Sequence, residues 1–162
     1  MKKLSIPLLA SVLVVAACGS SSKSPSTAST TKTTTPAKSV SVVLITTKNE
    51  PGLGTVLVDS QGRTLYQFLP DNDKHVTCTA SCAGVWPPVT LPTGDKPSAS
   101  GGVKASLLGS DPDPSGGQVV TYAGWPLYTY VADGSPGSHS GQGLNLNGGL
   151  WYVMSPSGKA IK

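Results

Sequence analysis

His75-x-x-Cys78-x-x-x-Cys82 is where side chains suited to chemistry lie closest together in this sequence. One imidazole and two thiolates make a soft donor set fit for copper or zinc, and the two thiols alone could cycle as a redox pair. Outside the cytoplasm the same cysteines are expected to close a disulfide instead. In a strand their Cα atoms would stand about 13 Å apart, whereas a bridge needs roughly 7 Å or less. The segment is therefore expected to be a turn or a single helical turn, with Thr77 and Gly84 as its end residues. A structural disulfide between Cys78 and Cys82 is the first expectation. The alternative, copper or zinc on His75, Cys78 and Cys82, needs a fourth ligand from His139 or an aspartate.

Other constellations are weaker. Asp111-Pro112-Asp113-Pro114-Ser115-Gly116 opens like a calcium loop, but Tyr122 occupies the place of the closing glutamate, so an acidic turn is expected. Gly137-Ser138-His139-Ser140-Gly141 has the outline of a nucleophile elbow with histidine at its centre, where the nucleophile belongs. Glu50, the single glutamate, precedes Pro51 and has no second glutamate with which to form an acid–base pair. With no set of nucleophile, base and orienting group, catalytic residues are not assigned and a non-enzymatic role is expected.

The elements that must position these residues announce themselves by repetition. Gly62-Arg63-Thr64-Leu65-Tyr66-Gln67-Phe68-Leu69-Pro70-Asp71 returns 62 residues later as Gly124-Trp125-Pro126-Leu127-Tyr128-Thr129-Tyr130-Val131-Ala132-Asp133, with Val58 matched to Val120. A repeat is one supersecondary unit built twice, each copy unable to bury its apolar face alone. Short β-branched and aromatic runs separated by Gly, Pro, Asp and Ser predict an all-β fold of two hairpin or meander repeats. Strands are predicted at 42–47, 55–58, 64–69, 119–122, 127–131 and 150–154, with a hairpin at Asp59-Ser60-Gln61-Gly62. Ser155-Pro156-Ser157-Gly158 followed by Lys159-Ala160-Ile161 predicts a third such hairpin. Period-two alternation sets Tyr66 with Phe68, and Tyr128 with Tyr130, on one face, and Leu65 with Gln67, and Leu127 with Thr129, on the other. These aromatics are expected in the core; an aromatic groove for a planar ligand such as a sugar is the functional alternative. Asp71 and Asp133 are expected to accept backbone N–H bonds in turns.

The first 17 residues read as an export signal: Lys2 and Lys3, then a short apolar run ending in small residues. Val15-Ala16-Ala17-Cys18 has the form of a bacterial lipobox, which makes Cys18 an acylation site and the new N-terminus. In residues 19–39, 13 of 21 positions are Ser or Thr and none is aromatic, the composition of a disordered tether. Residues 40–162 form one domain, with repeat 1 at about 55–90 and repeat 2 at about 117–154. All nine aromatic residues lie between Tyr66 and Tyr152, so the core must lie there. The formal charge of +4 comes from the signal and tether; the domain holds seven Lys or Arg against eight Asp or Glu. A nucleic-acid partner, which requires clustered positive charge, is therefore not expected.

The Tyr-x-aromatic-x-x-Asp pattern, present as Tyr66, Phe68, Asp71 and as Tyr128, Tyr130, Asp133, resembles that of bacterial lipoproteins described as a secreted repeat of unknown function. Cys78-Thr79-Ala80-Ser81-Cys82-Ala83-Gly84-Val85-Trp86-Pro87-Pro88 and Gly148-Gly149-Leu150-Trp151-Tyr152 are similar to further phrases of that family. The resemblance implies a secreted or membrane-anchored repeat protein and supplies no catalytic residue. The expectation is a lipoprotein held on the extracytoplasmic face of the cell membrane through Cys18, acting as a binding module for an envelope protein or glycan.

Overall fold

The computed structural model describes residues 42–72 and 75–162. The expected export signal at 1–17, lipidation at Cys18, tether to residue 39 and domain start at residue 40 all fall outside the described residues. In chain order the elements are β1 (Leu44–Glu50), β2 (Gly54–Asp59), β3 (Tyr66–Phe68), α1 (Ser81–Val85), β4 (Thr90–Leu91), β5 (Ser98–Ala99), β6 (Leu108–Pro112), β7 (Gln118–Tyr122), β8 (Trp125–Pro126), β9 (Asn145–Leu146) and β10 (Gly149–Val153). Single 3-10 turns follow β3 and precede β6. The fold is all-β, as the alternation of the sequence requires. Among the described residues no helix is long and apolar enough to cross a membrane.

Each repeat begins with a hairpin. β1 and β2 pair from Ile45↔Asp59 to Glu50↔Gly54, and β6 and β7 from Leu108↔Tyr122 to Pro112↔Gln118. The sequence pattern ended the first strand at Thr47, but β1 continues to Glu50. Lys48 Nζ lies 2.9 Å from Glu50 Oε1, and this pairing accompanies burial of Glu50 to 5 % exposure. Polar residues had hidden a strand whose ladder is complete. In the turn after β2, Gly62 (φ +77°) donates to the Asp59 carbonyl, and Asp59 N–H donates to that of Arg63. Gly158 repeats the arrangement with Ser155, and Ser155 with Lys159, so the third hairpin forms as its sequence predicted.

The turn of repeat 2 is shorter by one residue, Tyr122-Ala123-Gly124-Trp125, with Tyr122 paired to Trp125. That deletion shifts the register. Leu65 N–H donates to Leu57 O, and Leu127 N–H donates to Val120 O, so Val120 corresponds in space to Leu57 rather than to its sequence match Val58.

These bonds belong to two three-cornered rings. Leu57 donates to Met154, Met154 to Leu65 and Leu65 to Leu57; Val120 donates to Val89, Val89 to Leu127 and Leu127 to Val120. Met154 comes from the end of repeat 2 and Val89 from the end of repeat 1. Each copy is thus completed by the closing strand of the other. β10 pairs with β3 through Trp151↔Phe68 and Val153↔Tyr66, while Val85, Pro87 and Val89 bond to residues 127–131.

The predicted strand at 127–131 is reduced to an isolated bridge at Tyr128, beyond β8. Its neighbour explains why. Pro87 accepts from Thr129 N–H but has no N–H to return, so the ladder between it and 127–131 has a gap. β4, β5, β8 and β9 are two residues each, too short for alternation to reveal them.

Alternate residues of the same strands feed two cores. Val56, Val58, Tyr66, Phe68, Trp86, Tyr128, Trp151 and Val153 fill one; Ile45, Leu57, Leu65, Val120, Tyr122, Leu127 and Met154 fill the other. The central strands are therefore buried on both faces, and the period-two assignment of the tyrosines and leucines to opposite faces holds. Each fully buried aliphatic side chain here contributes about 1.5–3 kcal/mol.

Candidate functional site

Tyr66 and Tyr128 meet at the approximate twofold axis between the repeats. Tyr66 N–H donates to Tyr128 O at 2.9 Å and Tyr128 N–H returns to Tyr66 O at 3.0 Å. Their hydroxyls then cross over: Tyr66 donates to Asp133 Oδ2 at 2.6 Å, and Tyr128 to Asp71 Oδ2 at 2.7 Å. The opposite oxygen of each carboxylate organises a loop. Asp71 Oδ1 accepts Thr77 N–H and its hydroxyl, and Asp133 Oδ1 accepts Ser140 N–H. Each motif aspartate therefore closes its own loop and holds the other repeat's tyrosine.

Burial dominates the electrostatics. Desolvation, followed by the carboxylate partner, pushes both phenols far above their ordinary range. Asp71, fully buried, is raised by desolvation, against which its bonds from Thr77 and Tyr128 act. Uncharged tyrosines donating to carboxylates make charge-assisted bonds, worth about 1.5–3 kcal/mol each.

Around this axis the rings form a continuous column. Phe68 stacks on Trp151 (4.1 Å between centroids), Trp151 on Trp86 (3.9 Å, 2° between planes) and Trp86 on Tyr130 (4.1 Å). Tyr66 meets Trp86 edge-on at 5.4 Å, and Tyr128 meets Trp151 at 5.2 Å. Any Cβ at Gly141 would fall 2.7 Å from the Trp86 ring, so glycine lets the loop pack flat on the column.

Tyr66, Tyr128, Trp86 and Trp151 are all fully buried. The aromatic groove allowed as an alternative is thus overturned for these residues: the rings face each other and not solvent. Trp125 is half-buried at the margin of the second core.

Cys78 and Cys82 form a disulfide, with Cα atoms 5.2 Å apart across the start of α1. The turn predicted for this segment is present, but its ends differ from expectation. Thr77 is committed to Asp71, and Ala80 (φ +50°) stands at the N-cap without a side-chain bond. Trp86 N–H donates to Cys82 O, so the disulfide-bonded turn directly sets the ring that lies at the middle of the column. His75 is exposed, with Nδ1 3.2 Å from Asp111 Oδ2. Because the sulfurs are bonded to each other, the thiolates of the copper or zinc alternative are not present. Among the described residues no three His, Cys, Asp or Glu side chains converge as a metal-holding group.

Asp113 caps the β6–β7 turn, accepting Ser115 N–H at 2.8 Å, which is the acidic turn the sequence favoured over a calcium loop. His139 sits in the loop bound by Asp133, with Nδ1 3.1 Å from Gly137 O.

A cleft of about 300 Å³ opens beside Val42, the first described residue. Val42–Leu44, Asp59–Gln61, Arg63, Pro87–Thr90 and Thr129 line it. Arg63 bonds Asp59 Oδ2 through Nε at 2.7 Å and through its terminal nitrogen at 2.6 Å, while Asp59 Oδ1 accepts the N–H groups of Gln61 and Arg63. The lining therefore carries both charges, held to each other by hydrogen bonds. The pattern of the sequence did not reveal this cleft. Its one local signal was the opposite charge of Asp59 and Arg63, four residues apart. A second cavity of about 310 Å³ lies between Lys96–Pro97 and Leu108–Ser110.

A family model described as "secreted repeat of unknown function" matches residues 48–90 and 111–155, one copy on each repeat of the fold. No curated protein and no solved structure matches the chain.

Proposed function

We propose that this chain, which belongs to the family of secreted repeats of unknown function, is an envelope lipoprotein whose domain binds a ligand at the cleft beside Val42. Export by residues 1–17 and acylation of Cys18 anchor it, and the Ser/Thr-rich segment holds the domain off the membrane. The observation that carries the binding reading is the cleft itself. It combines apolar side chains from Val42–Leu44 and Pro87–Val89 with a hydrogen-bonded charge pair. Placed polar groups that fix a ligand's orientation are the feature it shares with pockets that bind small molecules. An envelope glycan or an extended peptide end is the class of ligand it suits.

One experiment addresses anchor and ligand together. The full chain is expected to partition into detergent and its Cys18→Ala variant into the aqueous phase. The aqueous form, isotopically labelled, is then titrated with soluble envelope glycan fragments and short peptides. Amide shifts concentrated at Val42–Leu44, Arg63 and Thr90, and weakened by Arg63→Ala, are the expected result. Shifts confined elsewhere, or none with either ligand class, would remove the binding reading; aqueous partitioning of the unaltered chain would remove the anchor.

A further inference from the structure

β6 is the edge of its sheet: the order β4-β7-β6 leaves it paired on one side alone. That pairing fixes which of its main-chain groups are spent. Ala123 N–H donates to Leu107 O and Asp113 N–H to Gly117 O, so the odd-numbered residues of β6 face β7. Leu108, Ser110 and Pro112 therefore turn their main-chain groups outward. Leu108 N–H donates to Ala105 O, and Pro112 has no N–H. What remains along the edge is one donor, Ser110 N–H, and the carbonyls of Leu108, Ser110 and Pro112. None of these groups has a partner among the described residues.

This inventory selects the occupant. A second copy of the chain would bring a single free N–H in its own β6, so two paired copies could make at most two main-chain bonds, whatever their register. A strand that keeps its N–H groups makes twice as many: it donates to the three carbonyls and accepts from Ser110. A glycan has no row of N–H groups at the two-residue spacing of a strand. Beside the edge lies the cavity of about 310 Å³ between Lys96–Pro97 and Leu108–Ser110, room for one side chain of an added strand. Pro97, Ala105 and Leu108 make its lining largely apolar, and Lys96 is the one charged side chain in it. Among the described residues Lys96 pairs with no carboxylate, whereas Asp111, the acid of β6, lies 3.2 Å from His75 Nδ1. We infer that β6 binds an extended peptide of another protein as an added strand, with an aspartate or glutamate of that peptide set against Lys96. The site shares no lining residue with the cleft beside Val42 and stands independently of it.

The test uses the full chain made soluble by Cys18→Ala and a displayed library of random heptapeptides, whose best binder is resynthesised with blocked ends. Titrated into the isotopically labelled protein, that peptide is expected to shift the Ser110 amide most and to slow its hydrogen exchange. N-methylation at alternate peptide positions should weaken binding about tenfold, and at the intervening positions hardly at all, because only every second N–H faces β6. Ser110→Pro removes the one donor and leaves the β6–β7 ladder intact, since that N–H points away from β7; it should weaken binding by a similar factor. Ser110→Ala, which loses only the hydroxyl bond to Gln118, should bind as the unaltered chain does. Lys96→Glu should turn the selected peptides from acidic to basic. If Ser110→Pro does not fold, the N-methyl pattern decides alone. The inference is overturned by binding without that alternation, by selection indifferent to Lys96→Glu, by peptides that shift the Val42 cleft instead, or by no enriched peptide. A dimer in sedimentation that Ser110→Pro dissociates would assign the edge to a second copy and overturn it equally.

Discussion

Tyr66 and Tyr128 show how one side chain can serve two repeats. Each is buried, each donates to a carboxylate 57 to 67 residues away, and each is neutral because the interior will not solvate a phenolate. Their raised folded-state pKa fixes the sign of a pH effect. Below the unfolded value of about 10 the stabilisation is fully present; above it the unfolded chain releases two protons that the native chain retains, and stability falls by about 2.7 kcal/mol per pH unit. Spectrophotometric titration should therefore show these two phenols ionising only together with the loss of near-UV circular dichroism. Gradual ionisation in a still-folded chain would contradict the crossed carboxylate pairs. The motif was legible in the sequence because it occurs twice. Which aspartate serves which tyrosine was not, because no local spacing links Tyr66 to Asp133.

The element that depends most on a single covalent bond is α1. A five-residue turn without a side-chain N-cap is too short to be stable alone, and the Cys78–Cys82 bridge holds it in place. Closing so small a ring contributes about 2 kcal/mol on the chain-entropy view. Urea unfolding of the Cys78→Ser, Cys82→Ser double variant should show a loss of that size, together with altered tryptophan fluorescence as Trp86 loses its fixed position. An unchanged midpoint and spectrum would mean that the turn and the ring are independent. The turn could be read from the cysteine spacing, since a disulfide four residues apart excludes a strand. The broken strand at 127–131 could not, since the gap arises from Pro87, which lies 40 residues earlier in the chain.

At the scale of the whole molecule, the two repeats are exchanged parts. β10 completes the tyrosine strand of repeat 1, and residues 85–89 complete that of repeat 2. Neither core closes without the other copy. A fragment ending at Ser100 is thus expected to be unfolded, as is one beginning at Gly101, and an equimolar mixture should recover the native circular dichroism and dispersed amide spectrum. A folded spectrum from either fragment alone would show that the exchange is dispensable. The near-neutral domain charge adds no long-range attraction between the halves, so recovery should depend only weakly on salt.

What the sequence determined by itself was whatever is encoded within a few residues. The all-β class followed from period-two alternation, the hairpins from Asp59-Ser60-Gln61-Gly62 and its third copy, and the turn at Cys78–Cys82 from the reach of a disulfide. The repeat said that two like units share a core. Tertiary structure alone decided that Trp86 and Trp151 stack at the centre, that the tyrosines face each other and not a ligand, and that a cleft forms beside Val42. The physical reason is that two copies built on one plan present similar backbone edges. A tyrosine strand can pair with the closing strand of either repeat, and only packing the whole chain around one axis selects the partner.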